Sequence, residues 1–402
     1  MSWSKLPLTL LKLIPPTQTH LSHSWNPIPY DVIVLGLGAM GTSTAYQLAL
    51  RGQAVLGIDQ FTPPHSFGSS HGKSRIIRET YFEDPLYVPL VKRAYNGWAE
   101  LQSRSGKRVL TRTGGLMIGA PDGAVVSGAR ASAVEHRLPY EELNANELRS
   151  RFPALRPPDD AVAIWEPRAG VLDPEAAIDA QLSLARAARA ELRFGEKVTK
   201  WRATAEGVEV TTSSGTYAAA RLVISAGPWM SELVPELALP LAIERNAVYW
   251  FDPLKAAEFT PDRLPVFIHE YAPGRTWYGF ANFGDGVKVA LHHEGESTTA
   301  NNVRRAVSES EVAVMRDLLK TFLPDANGAL RTTSVCLYTN TPDENFILDR
   351  HPEHPAVFIA SPCSGHGFKF SIAIGEAIAD DLMGETRRFD LSPFSLTRFA
   401  RA

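Results

Sequence analysis

The sequence predicts a mixed α/β protein in which two domains interleave along the chain, one built on a parallel sheet and one on a mainly antiparallel sheet. Three observations predict it. Tyr30 to Leu35 (YDVIVL) is an unbroken β-rich apolar run, the pattern of a parallel strand buried on both faces. Glycines follow at 36, 38 and 41, and then Ala45, Leu48 and Ala49 recur at helical spacing up to Gly52, a C-capping residue. Beyond residue 238, Val248 to Phe251, Thr276 to Phe280 and Val287 to His292 alternate as half-buried antiparallel strands do.

The remaining elements fill in that plan. Ala54 to Ile58 reads as the second parallel strand and ends in Asp59, completing a βαβ unit. Between Glu196 and Gly227 the segments KVTKW, GVEVTT and GTYAAARLVIS read as hairpin strands, and Ala226-Gly227-Pro228 leads toward a helix. This assigns 30–109, 168–237 and 335–395 to the parallel domain and 110–167 and 238–334 to the other. Pro153 to Pro158 (PALRPP) is a loop between them. Residues 1–29 read as an N-terminal extension: the first 28 hold two lysines and no acidic residue, with a targeting segment as the alternative. The apolar stretch Leu6 to Ile14 is broken by Lys12 and stopped by Pro15 and Pro16, so it cannot span a bilayer.

Composition narrows the function. With 402 residues, 44% of them hydrophobic, the chain can bury one large core or two ordinary ones. A formal net charge of -3 offers no basic field for polyphosphates, which argues against nucleic acid and for a small-molecule partner. Two cysteines, Cys336 and Cys363, are too few for a disulfide framework or a structural zinc site. His351-Pro-Glu-His354 reads as a surface turn, and no metal site is expected. The expected setting is cytoplasmic, as a monomer or small homo-oligomer.

In the G-x-G-x-x-G pattern, Gly36 permits a tight turn, Gly38 clears the path of a pyrophosphate, and Gly41 lets helix and strand pack closely. The helix N-terminus then faces the anion. Asp59, at the end of the second strand, can accept both ribose hydroxyls and would repel a 2'-phosphate. FAD or NAD fits this unit and NADP does not. The glycines do not separate the first two.

Three further motifs do. Pro63 to Arg78 (PPHSFGSSHGKSRIIR), Val335 to Tyr338 (VCLY) and Ser364 to Ser371 (SGHGFKFS) occur in the order found in the monomeric sarcosine oxidase family, which includes N-methyltryptophan oxidase. The chain resembles that family from residue 30 to about 395. The resemblance implies a Rossmann-like FAD-binding domain and a flavoenzyme that oxidises secondary amino acids with O2, giving an imine that hydrolyses, and H2O2. It implies that Cys336 is linked to the flavin 8α carbon, while Cys363 has no family match and reads as a core residue. Ser70, His71, Val198, Gly365 and Gly367 would line the cofactor.

Arg75 and Arg78, three apart, point to opposite sides of an extended chain. By resemblance Arg78 pairs the substrate carboxylate, which a guanidinium grips with two parallel hydrogen bonds, and Arg75 lies by the flavin ring. His366 and Lys369 are expected to share one face at the start of an apolar helix, with Lys369 reaching the carboxylate beside Arg78. Lys288, Ala290 and His292 face one way on their strand. The resemblance puts Lys288 above flavin N5 to promote electron transfer to O2, and His292, Tyr278 and Tyr338 in the amine pocket. Two departures from the family, a residue missing in Phe283 to Gly286 and one gained near Tyr271 to Thr276, are expected to flank that pocket and alter its size.

Overall fold

In the computed structural model, which describes residues 29–386 and 388–399, the chain forms two large sheets and a small one. Residues 1–28 of the expected N-terminal extension, with the stretch Leu6 to Ile14, lie outside the described residues.

The first sheet has Tyr30–Leu35 at its centre, parallel to Val55–Ile58 on one side and to Thr216–Ile224 on the other. The hairpin strands Val198–Ala203 and Val208–Thr212 extend it, and Val357–Ser361 joins parallel to Thr216–Ile224. Both faces are apolar and covered, as the unbroken run in Tyr30–Leu35 requires. Helices Ala39–Leu50, Val88–Ser105, Pro174–Ala187 and Ser371–Met383 pack together on one face. Gly375 and Gly97 make this packing close: a Cβ on Gly375 would stand 2.3 Å from Ser43 Oγ, and one on Gly97 2.9 Å from the Ile372 side chain.

The second sheet runs Glu296–Thr298, Ala242–Phe251, Val287–His292, Arg275–Phe280, Val266–Ala272, Gly115–Gly119, Val162–Glu166, Glu141–Asn144. Its pairings are antiparallel except that of Val266–Ala272 with Gly115–Gly119. Helix Glu309–Phe322 covers one side of it through Met315 and Leu319.

The expected division at residue 335 moves. Leu330–Asn340 pairs along its length with Ala242–Phe251, so Val335 to Tyr338 belong to the antiparallel sheet, and the chain returns to the parallel sheet only after Asn340. The small sheet joins Arg75–Ile77 and Leu110–Arg112 through Gly170–Leu172 and lies where the two large sheets meet.

Candidate active site

A cavity of about 500 Å³ runs from the glycine turn to the face of the antiparallel sheet. At its near end the backbone does the shaping. Gly36 has φ +82 and lies against Ser225, whose carbonyl oxygen would be 2.7 Å from a Cβ. Gly41 is packed inside, where a Cβ would come within 1.8 Å of Gly36 O, so it supports the turn without lining the cavity. Gly38, by contrast, lines it, and a Cβ there would meet only Ser70 Oγ at 3.4 Å. Ser70 Oγ accepts from Ala39 N at the start of the helix. Asp59 takes Leu37 N at 2.7 Å on one carboxylate oxygen and Phe61 N at 2.8 Å on the other. Each oxygen keeps a lone pair for a sugar hydroxyl.

At the far end, side chains from separate segments converge. Arg75, Arg78, Tyr278, Lys288, His292 and Cys336 all line the cavity, as do Tyr338, His366 and Lys369. His71, Val198, Gly365 and Gly367 also line the cavity, Gly365 against Tyr338 and His292. Arg75 and Arg78 therefore face one cavity, because the chain leaves its extended path after Ile77. They keep different company. Arg75 Nη2 donates to Cys336 Sγ at 3.5 Å and to Ser69 O at 2.7 Å. Arg78 Nη2 donates to both oxygens of Glu83, at 2.7 and 2.5 Å, and its guanidinium stacks over the rings of Tyr81 and Phe82. Glu83, which sequence reasoning missed, also lines the cavity. Burial alone would raise its pKa, but Arg78 overrides burial and takes it down to about 2.

The two lysines differ in how they are held. Lys288 is 2% exposed, and its Nζ donates to Gly72 O at 2.8 Å, Ser74 O at 3.0 Å and Ser74 Oγ at 3.1 Å, so all three donors are engaged. Burial, and then the charge of Arg75, push its pKa well below the ordinary value. Lys369 Nζ donates to His366 O at 2.7 Å and to Tyr81 Oη at 3.5 Å, which leaves it a donor for a ligand. Burial, followed by Arg78, lowers Lys369 to about 7.

His366 and Lys369 do not share the first turn of a helix. The α-helix starts at Ser371, preceded by a 3-10 turn, Phe368–Phe370, and His366 lies in the bend before it. That bend is tight because Gly367 lies against Pro362 O, 1.7 Å from where a Cβ would be. Tyr81 Oη meets His366 Nδ1 at 2.5 Å, fixing the ring under Phe346. His292 Nδ1 lies 3.2 Å from Tyr338 Oη. Burial, and then His293, keep the His292 imidazole neutral at ordinary pH.

Other expectations are corrected. Cys363 lines the cavity and is not a core residue; burial pushes its thiol up to about 12. His351-Pro-Glu-His354 is a turn, but His351 is buried, stacked on His354 and bonded to Glu236. Neither of the two turns thought to flank the pocket contributes to the cavity; residues 283–286 and 271–276 close hairpins away from it, with Phe283 exposed. No sequence signal marks Tyr81, whose partner His366 is distant in the chain, or Glu83, which meets Arg78 only because the chain bends between them.

The near end fits a dinucleotide, since the cradle at Gly36 and Gly38 is free of side chains. Further along, the buried His71 Nε2 is without a partner among the described residues. A family model described as FAD dependent oxidoreductase matches residues 31–381. The chain belongs to the FAD-dependent oxidoreductases. Within that family it is 43% identical over 378 residues to a monomeric sarcosine oxidase of Streptomyces avermitilis, covering 93% of this chain and 98% of that one. It is 37% identical to an N-methyl-L-tryptophan oxidase of Salmonella dublin, covering 92% and 100%. Among solved structures, the FAD-dependent fold is shared with NikD, an amino acid oxidase essential for nikkomycin biosynthesis, at a TM-score of 0.80 and 27% identity, covering 91% and 97%. Among the described residues of this FAD-dependent amine oxidoreductase, no helix is long and apolar enough to cross a membrane, and no cluster of His, Cys, Asp or Glu could hold a metal ion.

Proposed function

We propose that the protein oxidises secondary amino acids, of the N-methyl or cyclic kind, at the C–N bond to an imine that hydrolyses, and that O2 accepts the electrons as H2O2. The observation that carries this reading is the convergence of Arg78, Lys369 and a neutral His292 at the end of the cavity remote from the glycine turn. When bound, the flavin supplies a two-electron acceptor; the chain's own residues do the rest.

Arg78 and Lys369 grip the carboxylate. An incoming carboxylate competes with Glu83 for the Arg78 fork and takes the spare donor of Lys369, so charge-assisted bonds form in a buried setting where they are strongest. Binding an anion there also favours the charged form of Lys369. His292, neutral and aligned by Tyr338, can accept the amine proton. Tyr278, Phe280, Ile268 and Val248 form the apolar walls that exclude water from the amine carbon. Lys288, whose Nζ is fixed by two carbonyl oxygens and a hydroxyl, is the group assigned to assist the reduction of O2.

Gly36, Gly38 and Asp59 would hold the ADP half, with Ser70, His71 and Val198 beside it, and Gly365, Gly367 and His366 the ring end. Cys336 would carry the flavin through a thioether. Support comes from Arg75 Nη2 on its sulfur and from Arg305, which donates to Val335 O, the carbonyl just before it. A peroxide screen of the purified protein over sarcosine, N-methyl-L-tryptophan, L-pipecolate, L-proline and 4-methylaminobutanoate tests the reading. We expect turnover of at least one; anaerobic enzyme that no secondary amine bleaches would overturn it. Acid precipitation should leave the yellow colour with the protein, and flavin free in the supernatant would refute the covalent link.

A further inference from the structure

We infer that Glu166 is the positioning residue for Arg78, anchoring the bend from which the guanidinium enters the cavity and so setting the affinity for the substrate's carboxylate. The inference rests on the proposed role of Arg78.

Glu166 ends the strand Val162–Glu166 of the antiparallel sheet, is 1% exposed, and does not line the cavity. Its carboxylate is wholly committed to two residues far away in sequence. Glu79 N donates to Oε1 at 2.8 Å and to Oε2 at 3.0 Å, while Thr80 donates to Oε2 from its N at 2.8 Å and from its hydroxyl at 2.7 Å. Burying a carboxylate is costly unless it is fully hydrogen-bonded, and here the bonds it makes hold a backbone segment and nothing else. Those two amides come just after the strand Arg75–Ile77, where the ladder has ended and the buried N–H groups need other acceptors.

The anchored residue then acts directly on the guanidinium. Thr80 O accepts from Arg78 Nη1 at 3.0 Å, so Glu166, Thr80 and Arg78 form one chain of contacts. The bend also brings the rings of Tyr81 and Phe82 against the guanidinium, 4.3 and 4.4 Å from its carbon. A second fastening comes from the helix Ala124–Glu135: Ser132 Oγ donates to Tyr81 O, and Gly128 leaves room for Phe82 O, which would be 2.3 Å from a Cβ. Arg78 thus follows a strand of the small sheet but takes its position from the substrate-side sheet. The side chain of the other acid nearby, Glu79, is turned away toward Arg168 at 3.3 Å, so only its backbone takes part in the bend.

Glu166→Gln keeps the size and one acceptor oxygen but turns an amide NH2 toward N–H donors. In the holoenzyme, acetate binding read from the flavin spectrum should weaken about tenfold, and the KM of the amino acid should rise with it. The kcat at saturating substrate, the rate of flavin reoxidation by O2 and the covalent flavin content should hold. Thr80→Val, which removes one contact and leaves the acid, should move acetate affinity the same way by about threefold. Arg78→Met is the reference. If it weakens acetate binding and neither Glu166→Gln nor Thr80→Val does, the positioning role is wrong. If Arg78→Met leaves acetate binding unchanged, the reading of Arg78 itself fails. A parallel fall in KM-independent turnover, reoxidation and flavin content would assign Glu166 to general stability and overturn the inference.

Discussion

At the glycine end of the cavity the walls are mostly backbone from one βαβ unit, Gly36 to Asp59, whereas the far end is assembled from side chains on five separate stretches around Arg78, Tyr278, Lys288, Cys336 and Lys369. The backbone end is defined by what is missing, namely Cβ atoms at Gly36, Gly38 and Gly41. The side-chain end is defined by charge. Lys288, Lys369, Arg75 and Arg78 all line it; burial and then Arg75 drive Lys288 down, and burial and then Arg78 drive Lys369 down. Glu83 neutralises only Arg78 directly. A shape-built end depends on what its side chains leave open, while a charge-built end is incomplete until an anion arrives.

The largest expected effects break the near end in two distinct ways. Gly41→Ala forces a Cβ into Gly36 O and should cost the fold itself, seen as a collapse of the thermal transition. Gly38→Ala meets only Ser70 Oγ at 3.4 Å, so the protein should fold but come out largely colourless. Equal loss of stability in both would erase the distinction between supporting and lining glycines. At the far end, Lys288→Met should slow reoxidation of the flavin by O2 by about 10²–10³, the cost of removing one preorganised electrostatic group, with reduction by substrate little changed. Equal slowing of the two half-reactions would sink the assignment.

Smaller, but sharper, is the effect of pH. Lys369, at about 7, binds an anion when protonated, so acetate affinity should be highest below that value and fall as pH rises through and beyond it. In Lys369→Met the dependence over this range should flatten; an unchanged profile would assign the titration elsewhere. Smallest of all should be Cys363→Ser, whose thiol is held protonated with a pKa of about 12: covalent flavin measured after denaturation should stay at the wild-type level.

The sequence made the near end legible because its determinants are local. An apolar run, glycines, a helix and an acid at fixed offsets specify a βαβ turn without knowledge of the rest of the fold. Lys288, Arg75, Cys336 and Lys369 were found through motifs carried by resemblance, not by any pattern of their own. What escaped was long-range or dependent on turns. Glu83 is unmarked because its meaning comes from the bend after Ile77, and that bend is set by Glu166, distant in the chain. Cys363 looked like a core residue because a small apolar thiol beside a buried strand is usually one; the turn at Gly365 and Gly367 exposes it to the cavity. The insertion and deletion near 274 and 285 leave the cavity untouched because hairpin length is absorbed at the loop and not along the paired strands.

The parallel sheet places a demand on synthesis. Tyr30–Leu35 leaves the ribosome early, yet one neighbour, Thr216–Ile224, and that neighbour's own partner, Val357–Ser361, come much later, and the helix sealing the face ends at Met383. At about 5–20 residues per second, the glycine turn waits for its sheet until Val357–Ser361 and the helix ending at Met383 have been made. Cofactor capture therefore follows the synthesis of Ser371–Met383, and a chain ended before that helix should be cleared by proteases before it ever turns yellow.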